Sequence, residues 1–159
     1  MTPIFFNYAD ATLYYKGKTR LKTDLFNLFR QEGVYIARID YVFCSDEYLL
    51  QLNQRHLQHN TLTDIITFDL SERGGVVGEI YISVERVKEN ATIHKTSFEN
   101  ELQRVVYHGA LHLCGYKDKT PNQKAAMRAK EDKYLKNNMI IKQRYQMKIQ
   151  KQHTQFFLE

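Results

Sequence analysis

The spacing of apolar and polar residues predicts alternating strands and helices along the first third of the chain. The apolar run IFFNY at residues 4–8 is typical of a short strand. VYIARIDYVFC at 34–44 alternates from residue to residue, which predicts a second strand. Between them, residues 19–33 place apolar side chains at helical spacing, and Gly33 ends the predicted helix. Those side chains are Leu21, Leu25, Leu28 and Phe29.

The middle of the chain repeats this alternation and ends in helices. Residues 45–57 begin with Ser45 and two acidic residues, as a helix N-terminus does. Two β-rich runs, 63–70 and 78–83, are separated by paired glycines, which predicts neighbouring strands with a hairpin-like connection. Further helices are predicted over 83–94, 96–115 and 122–140.

Together these elements predict an α+β fold in a single domain, with a small mixed four-stranded sheet covered by about five helices. Thr96 stands three residues before Glu99, the spacing of a capping box, so we expect it to begin the helix at 96–115. The domain is predicted to span residues 1–140. Residues 141–159 lack a clear period and are predicted to form a partly disordered C-terminal extension.

Composition and charge restrict the cellular location and the binding partners that we expect for this domain. No run approaches the roughly 18 apolar residues of a membrane span, and the first residues lack the pattern of a secretion signal. We therefore expect a cytoplasmic protein in which Cys44 and Cys114 stay reduced. Residues 1–116 carry 12 basic and 14 acidic side chains, whereas residues 117–151 carry 11 and 3. This basic surplus favours a nucleic-acid partner, although a solvated lysine-rich helix face would look the same.

The stretch HGALHLCGYKD, residues 108–118, carries the candidate chemistry. His108 and His112 are four apart, so on a helix their imidazoles point the same way and can bind one ion. Gly115 allows the chain to turn back, and Asp118 then supplies a third ligand. Three ligands leave a position for water, as in catalytic sites, and the nitrogen and oxygen set suits zinc or another divalent transition metal.

A metal ion with an open position favours hydrolysis, because it activates water and stabilises charge on a phosphoryl or carbonyl oxygen. Zinc proteases share this spacing but carry a glutamate after the first histidine, where this chain has Gly109. A phosphodiester substrate fits the basic surroundings better, and Lys117 and Lys119 flank the third ligand directly. Cys114 lies about 200° around the helix from His112 and is expected to be a packing residue.

At this stretch the chain resembles a known family. HGALHLCGYKD, preceded by ENELQRVVY, resembles the signature of the YbeY group of metal-dependent endoribonucleases, also called rRNA maturation factors. LNQRHLQHNTLTDIITF and GEIYIS resemble two further family stretches in the expected order. The resemblance implies an α+β fold, one zinc ion held at the three signature positions, and cleavage of single-stranded RNA. It also implies roles in maturation of small-subunit rRNA and in ribosome quality control.

The chain departs from that family at two positions. The third ligand is usually a histidine, whereas Asp118 adds about one negative charge at the metal and should make its water less acidic. The family also generally has an arginine where this chain has Leu57. We hypothesise that Lys117, Arg55 or His59 binds phosphate in its place. For the general base the sequence offers only Glu79, on a predicted strand.

Alanine variants of Lys117, Arg55 and His59, each made singly, test which cation replaces the arginine. The responsible residue should lower RNA cleavage when truncated, because a phosphate loses its positive partner. Normal rates for all three variants would reject the hypothesis.

Three functions remain open from the sequence: an endoribonuclease, a metallopeptidase, and a ribosome-assembly factor that binds RNA and holds a mainly structural metal. The glycine at 109 argues against the peptidase. The open coordination position argues against a purely structural metal.

Overall fold

A computed structural model describes residues 2–58 and 62–156 of the chain. The strands are β1 (Ile4–Tyr8), β2 (Ile36–Cys44), β3 (Ile65–Asp69) and β4 (Val76–Ser83). The helices are α1 (Lys18–Gln31), α2 (Asp46–Leu57), α3 (Val84–Ile93), α4 (Phe98–Leu113) and α5 (Pro121–Phe156). The predicted α+β fold with a four-stranded sheet and five helices is confirmed over the described residues.

The sheet is mixed and has the strand order β1-β2-β4-β3. β1 and β4 each pair with β2 in parallel, whereas β3 and β4 are antiparallel neighbours. The hairpin-like connection predicted from the paired glycines is therefore confirmed. Gly74 and Gly75 have φ values of 99° and 121°, which favour glycine over other residues. The turn brings β4 back along β3, which forms one edge of the sheet.

Three of the helices, α2, α3 and α4, begin at serine caps. Ser45 begins α2 as predicted, and its Oγ accepts a hydrogen bond from the Tyr48 backbone N–H. The cap of α4 is Ser97, which accepts from the Asn100 N–H, so the prediction that Thr96 begins this helix is wrong by one residue. Ser97 has the extended backbone that a cap requires, while the Thr96 hydroxyl instead accepts from the Asn100 side chain.

The core lies between the sheet and two helices, α1 and α4. Ile39, Tyr41 and Phe43 of β2 are fully buried, as the alternation in the sequence predicts. Tyr35 and Ala37, on the same side in the sequence pattern, are exposed, because the register of β2 shifts between Ile36 and Arg38. The Tyr41 hydroxyl donates to the carbonyl of Val106 on α4 at 2.8 Å, which ties that helix to the sheet. A smaller cluster around Leu49 packs α2 onto β3 and β4. Helix α4 is thereby held in position along its whole length.

Helix α5 is much longer than the predicted helix over 122–140. Its first half is anchored through the buried side chains of Met127, Tyr134 and Leu135. Beyond residue 140 it continues as helix to Phe156, through most of the predicted extension. No proline or glycine interrupts 122–156, and lysine, glutamine and methionine favour helix. The division of the chain at residue 141 stays a prediction. None of the helices in the described residues combines the length and the apolar run needed to cross a bilayer.

Replacing Gly109 with valine should destabilise the fold, because α4 packs closely on the sheet at this glycine. A Cβ added here would lie 2.9 Å from atoms of both Ile65 and Ile80. Overpacking of this kind costs about 1–3 kcal/mol, which urea denaturation would measure. The control is Ala126→Val on the exposed side of α5, which adds the same side chain to solvent and should cost below about 1 kcal/mol. Equal losses in both variants would contradict close packing at Gly109.

Candidate metal centre

Three candidate ligands meet where α4 ends. His108 and His112 lie on its last two turns, and the two Nε2 atoms are 3.0 Å apart. Asp118 Oδ2 is 3.2 Å from His108 Nε2 and 3.3 Å from His112 Nε2. Gly115, with φ of 100°, reverses the chain after the helix, as its place in the sequence predicts. The structure therefore brings the three predicted ligands together.

The spacing of these atoms fits a tetrahedral metal ion. Zinc binds nitrogen and carboxylate oxygen at about 2.0–2.1 Å, so neighbouring donors in a tetrahedron lie about 3.3 Å apart. The three measured separations, 3.0 to 3.3 Å, approach this value. Three donors of a tetrahedron leave the fourth position for a water molecule or substrate. The described residues offer this one group of three such ligands.

The hydrogen bonds behind the imidazoles direct their lone pairs toward the same point. His108 Nδ1 faces Glu131 Oε1 at 2.6 Å, and His112 Nδ1 faces the Tyr116 carbonyl oxygen at 2.9 Å. A carboxylate and a carbonyl can only accept, so each neutral imidazole carries its proton on Nδ1. Both Nε2 lone pairs and a carboxylate of Asp118 then face one another. A bound cation removes the repulsion among these three acceptors.

Glu131 is a buried carboxylate held by charge. Only 5% of its surface is exposed, and Arg104 Nη1 contacts its second oxygen at 3.0 Å. Burial disfavours a charged His108, but the Glu131 hydrogen bond and the charges of Glu131 and Asp118 outweigh this, and the pKa of His108 lies above its ordinary value. Glu131 therefore polarises the imidazole, which strengthens its other nitrogen as a ligand.

A second cluster fixes the loop that carries Tyr116. The Tyr116 hydroxyl donates to Glu32 at 2.8 Å, and Lys130 Nζ contacts the same carboxylate at 2.8 Å. Tyr134 also donates to it. Burial opposes the charge on Glu32, yet these hydrogen bonds prevail and lower its pKa. The C-terminal end of α1 and the first half of α5 thus hold the loop whose carbonyl orients His112.

The three ligands open onto a cavity of about 620 Å³. Its other walls come mainly from β3 and the residues before it, including Thr63, Asp64 and Ile66. Asn53 of α2 and Lys119 complete the polar lining. Burial raises the pKa of Asp64, and the charge of His108 acts in the opposite direction. A substrate in this cavity would contact both the metal ligands and these polar groups.

The other predicted site residues are scattered. Lys119 lines the cavity, but Lys117 and Arg55 are exposed and are not among the lining residues described. His59 lies outside the described residues. Gly78 and Ile80 face α4, so Glu79 points to the other side of the sheet, where Tyr81 donates to it at 2.9 Å. The structure thus does not bring Glu79 to the ligands.

The two cysteines are free, as expected. Cys114 packs against the core, burial raises the pKa of its thiol to about 12, and its sulfur is not part of the group formed by His108, His112 and Asp118.

Sequence reasoning missed Glu131 and Asp64. Glu131 stands in the lysine-rich segment KAAMRAKEDK and looks there like an ordinary surface acid. Asp64 was detectable in principle, because a carboxylate directly before the apolar strand IITF is costly to bury without a role.

An open three-ligand group beside a polar cavity, on an α+β fold, is the arrangement of a metal-dependent hydrolase. The family model described as Endoribonuclease YbeY matches residues 16–139. The chain therefore belongs to the YbeY endoribonuclease family.

Individual relatives agree with the family match. The endoribonuclease YbeY of Flavobacterium psychrophilum is 56% identical over 133 residues, covering 84% of this chain and 94% of the relative. That of Cytophaga hutchinsonii is 47% identical over 133 residues, covering 83% and 93%. A solution structure of a protein from Thermotoga maritima matches with a TM-score of 0.60 and 31% identity, over 82% of this chain and 86% of that one. The sequence resemblance to this family is confirmed.

Glu131→Gln should weaken metal binding by about 10–100-fold, as is typical when the partner behind a histidine ligand is altered. Glutamine keeps the shape but removes the charge that polarises His108. Competition with a chromophoric zinc chelator measures the affinity, and circular dichroism checks the fold. Asp132→Asn is the matched control, because Asp132 also pairs with Arg104 but is 58% exposed, and its other ion pair is with Arg128 and not with a histidine. Equal affinity in Glu131→Gln and wild type would refute this role.

Proposed function

We propose that the chain is a metal-dependent endoribonuclease that cleaves single-stranded RNA, and that it acts in maturation of small-subunit rRNA and in ribosome quality control. The observation that supports it best is the convergence of His108 Nε2, His112 Nε2 and Asp118 Oδ2 at an open cavity, in a chain of the YbeY family. We expect the protein to work in the cytoplasm, with the ribosome as its partner.

The ion that fits this nitrogen and oxygen set best is zinc, and other divalent transition metals share the preference. When bound, it supplies Lewis acidity, which lowers the pKa of water and stabilises charge on a phosphoryl oxygen. His108 and His112 hold it as neutral ligands, and the carboxylate of Asp118 offsets one of its charges. Because of this carboxylate, water bound to the ion should be less acidic than in a site with three histidines.

The cavity walls bind and orient the RNA in this proposal. Lys119 is the cation among the lining residues described and would attract a phosphate. Asn53 and Thr63 provide neutral hydrogen-bonding groups. Asp64 would keep a bound phosphate toward the lysine side of the cavity, since two negative groups repel. These contacts position the scissile bond near the ligands, and positioning is a large part of such catalysis.

The competing functions fit less well. A purely structural metal is usually closed by four protein ligands, whereas this group has three and faces a cavity. A peptidase of this spacing needs a glutamate at the position of Gly109. Gly109 packs against the sheet, and a side chain as long as that of glutamate would clash there.

RNA cleavage by wild type and His112→Ala tests the proposal. Loss of a ligand should lower the rate at least about 100-fold, more than loss of an outer partner does. A chelator should abolish wild-type cleavage, and added zinc should restore it in wild type but not in the variant. Circular dichroism confirms that the variant is folded. Full activity of His112→Ala, or cleavage that resists the chelator, would rule out a metal-dependent nuclease at this site.

A further inference from the structure

We propose that the C-terminal part of α5, residues 139–156, is an accessory RNA-binding arm that holds the substrate at a distance from the metal ligands. The proposal rests on the proposed function, because RNA is the polyanion that an endoribonuclease engages. It concerns a surface separate from the cavity and from every candidate ligand.

The arm begins beside α1, with which Ile140, Ile141 and Arg144 line a pocket, and then extends beyond the body of the domain. Glu131 of α5 lies beside His108 near the end of α4, whereas Lys142 Nζ meets Glu99 Oε1, in the first turn of α4, at 2.9 Å. The two helices are therefore antiparallel, and α5 passes the start of α4 after Lys142. Asn138 is the last buried residue of α5 whose side chain is described, and residues 139–150 are all exposed.

The arm is also where the family domain ends. The family model matches residues 16–139, and 83% of this chain is enough to cover 93% of the Cytophaga hutchinsonii relative. Nearly all of the arm therefore lies outside the matched part of the chain, and none of the three candidate ligands belongs to it. A helix segment whose charged residues are all positive is better suited to binding a polyanionic substrate than to catalysing its cleavage.

Its charge is uniformly positive. Residues 133–156 contain no aspartate or glutamate. Arg144 and Lys148 are four apart and Tyr145 is next to the first, so all three lie on neighbouring parts of the helix surface. Cations that neutralise phosphates, together with an aromatic ring on which a base can stack, are the usual means of binding single-stranded nucleic acid. Tyr145 is 66% exposed and available for such a contact.

The apolar residues of the arm do not favour a membrane. Ile140 and Ile149 are nine residues apart and so lie about 180° from each other around the helix. Binding in the plane of a bilayer needs one apolar face opposite a polar one. Positive charge, by contrast, is found without interruption by acidic groups, which makes RNA the better fitting partner.

The distance from the metal site decides which RNA should respond. Residues 131 and 148 are 17 apart in one helix, which at 1.5 Å per residue is about 25 Å. A short oligonucleotide bound at the ligands cannot reach the arm, while a long single strand can contact both.

The test compares a triple variant, Arg144→Gln, Lys148→Gln and Lys151→Gln, with a control of equal charge change, Lys16→Gln, Lys88→Gln and Lys95→Gln. Glutamine preserves the helix. The KM for a long single-stranded RNA should rise about tenfold in the arm variant, with kcat unchanged, because phosphate contacts are lost. The KM for a short oligonucleotide should stay the same. Equal KM values for the long RNA in the arm variant and the control would overturn the proposal.

Binding separates this proposal from the nuclease function. Binding of the long RNA is measured by fluorescence anisotropy in the His112→Ala protein, with and without the arm substitutions. Removing the three arm charges should reduce the slope of log K against log salt concentration by about two, because each lost phosphate contact accounts for about 0.7. This holds whether or not the wild type cleaves RNA, so absent cleavage would count against the nuclease alone. An unchanged salt dependence overturns the arm. So does a dimer by light scattering that the arm variant abolishes while RNA binding persists, since the surface would then serve self-association.

Discussion

The hydrogen bond between His108 and the buried carboxylate of Glu131 is the contact on which the site depends. It joins α4, which carries two candidate ligands, to α5, whose described residues carry none of the three. A charge buried this deeply is stable only when it is paired, and Arg104 on α4 supplies the pair. The same interaction therefore packs the two helices together and turns the His108 lone pair toward the other ligands.

Close packing makes this geometry possible. Helix α4 can lie against the sheet because Gly109 has no side chain where it crosses β4. That glycine directly follows His108, at the position where zinc proteases carry a glutamate. In this chain the position is used for packing against the core. After the helix, Gly115 reverses the chain and Tyr116 is clamped by Glu32, which places Asp118 opposite both imidazoles. Each ligand is thus fixed by a different part of the core.

In an enzyme that cleaves RNA, the domain and the arm would divide two tasks, cleavage and the holding of a long substrate. The ligands and the cavity need accurate geometry, and rigid packing around α4 provides it. Holding a long polyanion needs only charge at a suitable distance, which an exposed helix can offer with few tertiary contacts. The candidate ligand Asp118 fits this division, since its carboxylate would lower the positive charge of a bound ion while the rest of the last quarter of the chain is strongly basic.

The sequence by itself determined the element order, the mixed sheet and the three candidate ligands that the structure brings together, because these depend on local periodicity, on glycine at turns and on a spacing within one helix and its end. The sequence could not determine the start of α4, since two neighbouring residues could each act as its N-cap. It could not determine the length of α5 either, because the apolar periodicity is weak in the exposed part of that helix. The partners of His108 and the walls of the cavity come from residues distant in the chain, such as Glu131 and Asp64. Only tertiary packing decides them, because charge and burial at these residues depend on which elements meet.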